Sequence, residues 1–287
     1  MLTTFSRAVP AHFRPHKVLR SYDCKDFAGH ATNLDMWKLW LLMILSGIVV
    51  NSPAQTNQAF QFQSAPTRTA LLELYTSEGC SSCPPAEAWL SGLKDSPRLW
   101  KDFAPVAFHV DYWNYLGWKD AWSDAAFAER QRAYAQSWHS ENIYTPEFVL
   151  NGKEWHNWFA GWKGPKSGGE RVGILTVTCT GTNRWLATYA PEKSAEVNYE
   201  IHAALLAGGI VSDVKAGENE GRKLNHDFAV VNLVQIGMTT SNGVAKGRFL
   251  LDKPQSNSAS TLALTAWVTR AGELEPLQAT GGWLVRP

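Results

Sequence analysis

The sequence predicts an α/β domain followed by an antiparallel β-sandwich domain, and three observations carry that prediction. The first is residues 71–86, LLELYTSEGCSSCPPA, where an apolar run of strand type passes through a tight loop into Cys80-Ser-Ser-Cys83 and a Pro-Pro pair that opens a helix. The second is another apolar run, VAFHV at 106–110, set off from the first by about thirty residues, the size of a right-handed βαβ unit. The third is a change to period two: Val197, Tyr199, Ile201, Ala203 and Leu205 alternate with Asn198, Glu200, His202 and Ala204, as a strand with one buried face requires.

In chain order, residues 1–35 read as an upstream extension. Met36 and Lys38 then precede the apolar run 39–50 and Ser52-Pro53-Ala54, so 36–54 reads as a cleaved secretory signal. Twelve apolar residues are too few to span a bilayer comfortably. The competing reading is an uncleaved anchor behind Arg7, Arg14, Lys17 and Arg20. Residues 55–67, rich in Gln, Ser and Pro, are expected as a flexible lead-in, 68–165 as the α/β domain and 170–287 as the sandwich, with GPKSGG in 163–170 as linker.

The dithiol helix places Ala86, Trp89, Leu90 and Leu93 on one apolar face. A second helix is expected over 124–138 behind Ser123 as N-cap, with Phe127, Tyr134 and Trp138 turned inward beside Ala126 and Ala133, and Glu129, Arg130 and Arg132 left to solvent. Pro146 opens a strand that ends in Asn151-Gly152, a hairpin signal, and Thr145-Pro146 is a candidate cis peptide. Further strands are expected at 172–180, 185–189, 228–236, 249–251, 261–269 and 277–285.

A net charge of +1 with 18% charged residues gives neither a nucleic-acid footprint nor an acidic tail. The 14 tryptophans cluster at 113–122 and 155–162, either as core packing or as an aromatic wall around a cleft. Export would remove Cys24, leaving Cys80 and Cys83 free to form a disulfide and Cys179 unpaired, as a small buried hydrophobe.

At the mouth of a helix, unpaired N–H groups and the positive end of the dipole favour a thiolate. Cys80 is therefore the expected exposed nucleophile and Cys83, one turn inside, the resolving thiol. A Cys-x-x-Cys pair also serves as half a zinc site, but no second Cys or His pair follows at matching spacing. Glu78 would raise the Cys80 thiol and the helix end would lower it.

Together, Cys80-Ser-Ser-Cys83 after a strand, Thr145-Pro146 before a strand and FVLNG after it resemble the thioredoxin fold. The segments SEGCSSCPPAE, FHVDYWNYLGWKD, ERQRAYA, IYTPEFVLNG and GENEGRKLNHDF resemble, more closely, an exported bacterial thioredoxin-like family with no established activity. The resemblance implies a thioredoxin-like α/β domain, a cis-proline turn that sets Thr145 and Pro146 beside Cys80, and Glu73 as a buried acid beneath the dithiol. Against that pattern, Gly79 stands where thioredoxins place Trp, and the 112–122 insertion lengthens the path to Pro146.

The expected function is dithiol-disulfide exchange with thiol- or disulfide-bearing protein substrates in the periplasm or outside the cell. The expectation includes no cofactor beyond the redox-active Cys80–Cys83 pair, no nucleic acid, and no stable membrane insertion after signal cleavage. Tyr112, Trp113 and Tyr144 are the candidates for substrate contact. In the second half the polar cluster from Gly217 to Asp227 offers Arg222 and His226, either pressed against the dithiol or in a solvated turn. Two alternatives remain: a Cu(I) or Zn module built from Cys80, Cys83 and His109, and an interaction protein whose disulfide only staples the fold.

Overall fold

The computed structural model describes residues 60–159, 164–193, 197–252 and 259–287. The expected extension (1–35) and signal (36–54), Cys24, and the first residues of the lead-in lie outside the described residues. In chain order come β1 (Gln61–Gln63), β2 (Ala70–Thr76), α1 (Pro84–Ser91), β3 (Phe103–His109), α2 (Ala125–Ser137), β4 (Glu147–Leu150) and β5 (Lys153–Glu154). Then follow β6 (Gly173–Gly181), β7 (Arg184–Pro191), β8 (Tyr199–Gly208), β9 (Ile210–Asp213), β10 (Lys223–His226), β11 (Ala229–Gly237), β12 (Thr239–Ser241), β13 (Val244–Leu250), β14 (Thr261–Arg270) and β15 (Gln278–Val285). The described chain is thus mostly β with two α-helices, and no described helix is long and apolar enough to cross a membrane.

One mixed sheet organises the molecule, with strand order β15-β14-β8-β11-β3-β2-β4-β5. β2 and β3 run parallel, as the crossover through α1 requires, and β4 returns antiparallel along β2. The antiparallel strands of the second half join this sheet directly: Ala229 of β11 pairs in parallel with Ala107 of β3, and Ala107 donates its N–H to the Phe228 carbonyl at 2.9 Å. A second, antiparallel sheet, β1-β6-β7-β13-β12, packs on the far strands of the first.

The periodicities explain these placements. β2 and β3 are buried along their whole length, as parallel central strands are, whereas β6 alternates buried and half-buried positions. One apolar core runs from Leu71, Leu74, Phe103 and Phe148 through Leu90 of α1 and Phe127 of α2 to Leu206, Phe228, Val230 and Trp267. It is therefore shared by residues on both sides of the expected linker. That linker is itself pinned, because Arg98 donates to the carbonyls of Gly164 and Pro165.

Three expectations change. Gln61–Gln63, expected within a flexible lead-in, pairs with Thr176–Thr178 of β6, because its backbone completes the edge of the second sheet. The N-cap of α2 is Asp124 rather than Ser123: its carboxylate accepts from the Ala126 N–H at 2.8 Å. The inward face of α2 carries Phe127, Ala128, Gln131, Tyr134 and Ala135, while Ala126 is exposed and Arg130 is drawn inside.

Candidate functional site

The loop from β2 to α1 presents the dithiol. Cys83 is the N-cap of α1, with Pro84 and Pro85 in the first turn where a missing N–H costs least, and its carbonyl accepts from Ala86 and Glu87. Cys80 and Cys83 are joined in a disulfide. Among the described residues no cysteine is a free thiol, so the expectation of an unpaired Cys179 is corrected; it is buried in β6.

The Thr145–Pro146 peptide is cis, and the turn it forms faces the disulfide. Cys80 Sγ lies 3.7 Å from the Thr145 carbonyl, which also accepts from Ser82 Oγ at 3.3 Å. Trp113, from the aromatic insertion, donates its indole N–H to Thr145 Oγ1 at 2.8 Å and rests on Gly79, where an added Cβ would come within 2.9 Å of the Trp113 Cβ. That contact explains why glycine occupies position 79: the tryptophan over this loop arrives from elsewhere in the chain.

The expected exposure of Cys80 is corrected. Cys80 is 1% exposed and Cys83 0%, while Ser81 and Ser82 between them are exposed. The atoms found against Cys80 Sγ are Ser82 Oγ at 3.3 Å and the Thr145 carbonyl oxygen at 3.7 Å, and the polar cluster of the second half bonds to the same loop. Asn219, fully buried, donates to the carbonyls of Glu78 and Cys80 at 2.9 and 2.8 Å, and Arg222 holds the Asn219 side-chain oxygen at 2.7 Å. Glu218 accepts from both the N–H and the hydroxyl of Ser81. Of the two readings of this cluster, the one pressed against the dithiol loop is the one seen.

Beneath the disulfide lies a buried polar network. Glu87 of α1 accepts from Thr76 Oγ1 at 2.5 Å and from His226 Nδ1, and Trp118 donates to Glu78 at 2.6 Å. His109 Nδ1 pairs with Asp120 at 2.8 Å, and Asp120 also accepts the Glu78 N–H. Burial by itself would lower the His226 pKa, but the flanking carboxylates Glu78 and Glu87 outweigh it and lift it to about 10. His109 is raised in the same way, burial being overcome by Asp120. Glu87 and Asp120 are lowered: burial works against them, and the partner histidines win.

His226 therefore reaches the acids around the dithiol, Glu78 and Glu87, rather than either sulfur. The set Cys80, Cys83 and His109 is not gathered as a ligand shell: the sulfurs are bonded to each other, and His109 turns towards Asp120. The group of ligand-type residues that converges among the described residues is Glu87, His109 and His226.

Glu73 is also relocated. Side chains alternate along β2, so Thr76 faces α1 while Glu73 faces α2, where Arg130 pairs with it at 2.7 Å and Tyr75 and Tyr134 donate to it. It therefore does not lie beneath the dithiol. Tyr112 donates to Gln131, and burial raises its phenol to about 12. Tyr144, 41% exposed and bonded to Glu154, directly precedes Thr145, and Trp113 bonds to Thr145 beside Cys80.

Sequence reasoning weighed Glu78 only for its charge, placed Glu218 and Asn219 only as members of the polar cluster, and missed Glu87 and Asp120. Glu87 carried a signal, since a carboxylate four residues after Cys83 and three before Leu90 falls on the inward face of α1. The partner, 139 positions away, carried none.

Two solved structures are similar. Protein AGR_C_4864 from Agrobacterium tumefaciens matches with 21% identity over 76% of this chain and 95% of that one, at a TM-score of 0.53. HBP35 of Porphyromonas gingivalis matches with 12% identity over 78% of each chain, at a TM-score of 0.51. At these identities the likeness concerns the fold alone. No curated protein sequence matches the chain. A family model described as "Protein of unknown function (DUF1223)" matches residues 71–269, and the chain belongs to that family.

Proposed function

We propose that this is an exported thioredoxin-like protein carrying a β-sandwich, and that it exchanges disulfides with protein thiols in the periplasm or outside the cell. The observation that carries the reading is the Cys80–Cys83 disulfide at the mouth of α1, with Cys80 Sγ 3.7 Å from the Thr145 carbonyl. A substrate thiolate attacks Cys80 Sγ, the Cys80–Cys83 bond breaks, and Cys83 leaves as the thiolate. A second substrate thiolate then attacks the mixed disulfide and releases Cys80, so two electrons pass to the cysteine pair. Run backwards, the same steps reduce a substrate disulfide. The sulfurs are buried, so exchange requires the dithiol loop to open, and Glu218 and Asn219 are among the groups bonded to that loop.

The burial of both sulfurs favours a second reading, a structural staple in an interaction protein. Reduction kinetics with a small thiol, together with a redox titration, separate the two. Exchange predicts a potential between about −270 and −120 mV, and reduction several-fold faster in Glu218→Ala and Asn219→Ala. A potential below about −300 mV, with unchanged rates in both variants, leaves only the staple.

A further inference from the structure

Below the disulfide, Glu87, His109 and His226 each bring one ligand-type atom to within 4.8 Å of the others. They come from three elements, α1, the end of β3 and the end of β10, and all three are buried. Disulfide exchange assigns this cluster no step.

Its hydrogen bonding is incomplete in a particular way. With Nδ1 engaged by Asp120, His109 Nε2 is buried without a hydrogen-bond partner. His226 Nε2 is ion-paired with Glu78 Oε1 at 3.1 Å. The two imidazole rings meet edge to face with centroids 5.0 Å apart. A buried polar atom left without a partner costs free energy, and His109 Nε2 is such an atom, set beside the donor atoms of Glu87 and His226.

Two imidazoles and a carboxylate form a donor set suited to zinc, the fourth position being one that water takes. The carboxylate of Asp120 behind His109 Nδ1 is the outer-shell partner that fixes the tautomer and orientation of a metal-binding histidine. Nitrogen donors disfavour calcium and magnesium, which take oxygen shells. We propose that Glu87, His109 and His226 form a three-residue binding site for a divalent cation of the zinc type.

Charge and access agree with this. Three buried carboxylates, Glu78, Glu87 and Asp120, surround two imidazoles, an excess that a dication offsets. Glu87 also lines an open cleft of about 430 Å³ between α1 and β10, which offers an entry path. The ion ties the dithiol helix to β3 and β10 without touching either sulfur, so the site stands or falls independently of disulfide exchange.

The test is a titration of the full-length protein, stripped with a chelator and kept oxidised, with Zn²⁺ against a chromophoric competitor. One zinc binds per chain, with the disulfide intact. Co²⁺ in its place gives tetrahedral d–d bands without a sulfur-to-cobalt charge-transfer band. Glu87→Gln and His226→Gln each abolish tight binding, and Asp120→Asn weakens it about 10–100-fold. No zinc uptake by the wild type, undiminished uptake in both ligand variants, or uptake only after the disulfide is reduced would overturn the proposal. If a variant does not fold, the histidine ring ¹⁵N shifts of the wild type decide. Movement of His109 and His226 on adding Zn²⁺ supports the site, and movement confined to other histidines refutes it.

Discussion

Glu147, the residue after Pro146, accepts from Gln131 and faces the carboxylates of Glu154 and Glu73. Burial is the main cause that raises its pKa to about 7; the two neighbouring carboxylates add to it and the Gln131 hydrogen bond opposes it. In the unfolded chain the group returns to the ordinary glutamate range, near 4.3. A folded pKa above the unfolded one gives a contribution that is complete below that range and lost as pH rises through about 7. His226, raised to about 10, loses its own contribution towards alkaline pH, so the informative quantity is a difference between variants. Between pH 5 and 8 the wild type should lose about 1–3 kcal/mol more stability than Glu147→Gln, as read by urea denaturation at both pH values. Equal losses would mean that Glu147 ionises as an ordinary surface acid.

At the scale of elements, α2 is held to the sheet by Arg130, whose guanidinium pairs with Glu73 and lies over the rings of Phe108, Tyr134 and Trp267. Removing the cation strands a fully buried carboxylate. Arg130→Met should therefore cost about 3–5 kcal/mol in chemical denaturation, and adding Glu73→Gln should recover part of it. If the double variant is no more stable than Arg130→Met, the pair is not what anchors the helix. The helix itself was readable from its sequence, because Phe127 and Tyr134 fall at helical spacing. The inward turn of Arg130 was not, because a lone arginine on a helix reads as solvated until a buried acid is found on a strand 57 positions earlier. The turn holding Asn219 was legible as Gly-rich and polar, with one of its two readings set against the dithiol, and only the folded chain shows that Asn219 holds the Cys80 carbonyl.

For the whole molecule, β2 to β4, β6 to β8, β11, β14 and β15 were legible from period and turn signals, whereas β1, β9, β10, β12 and the junction between the halves were not. Ala229 beside Ala107 is one parallel bridge between strands 122 positions apart in number, and no local pattern encodes it. Because the core from Leu71 to Trp267 crosses that bridge, unfolding should be a single transition, with tryptophan fluorescence and far-ultraviolet circular dichroism giving coincident midpoints. Two resolved transitions would show that the halves are energetically separate. The bonds over Ser81 have a temporal consequence as well. The ribosome adds residues from the amino end, so both cysteines exist while Glu218, 137 positions beyond Ser81, has yet to be made. An oxidant acting on the growing chain would meet the pair before Glu218 ties down Ser81, whereas a reductant arriving after completion meets a buried disulfide.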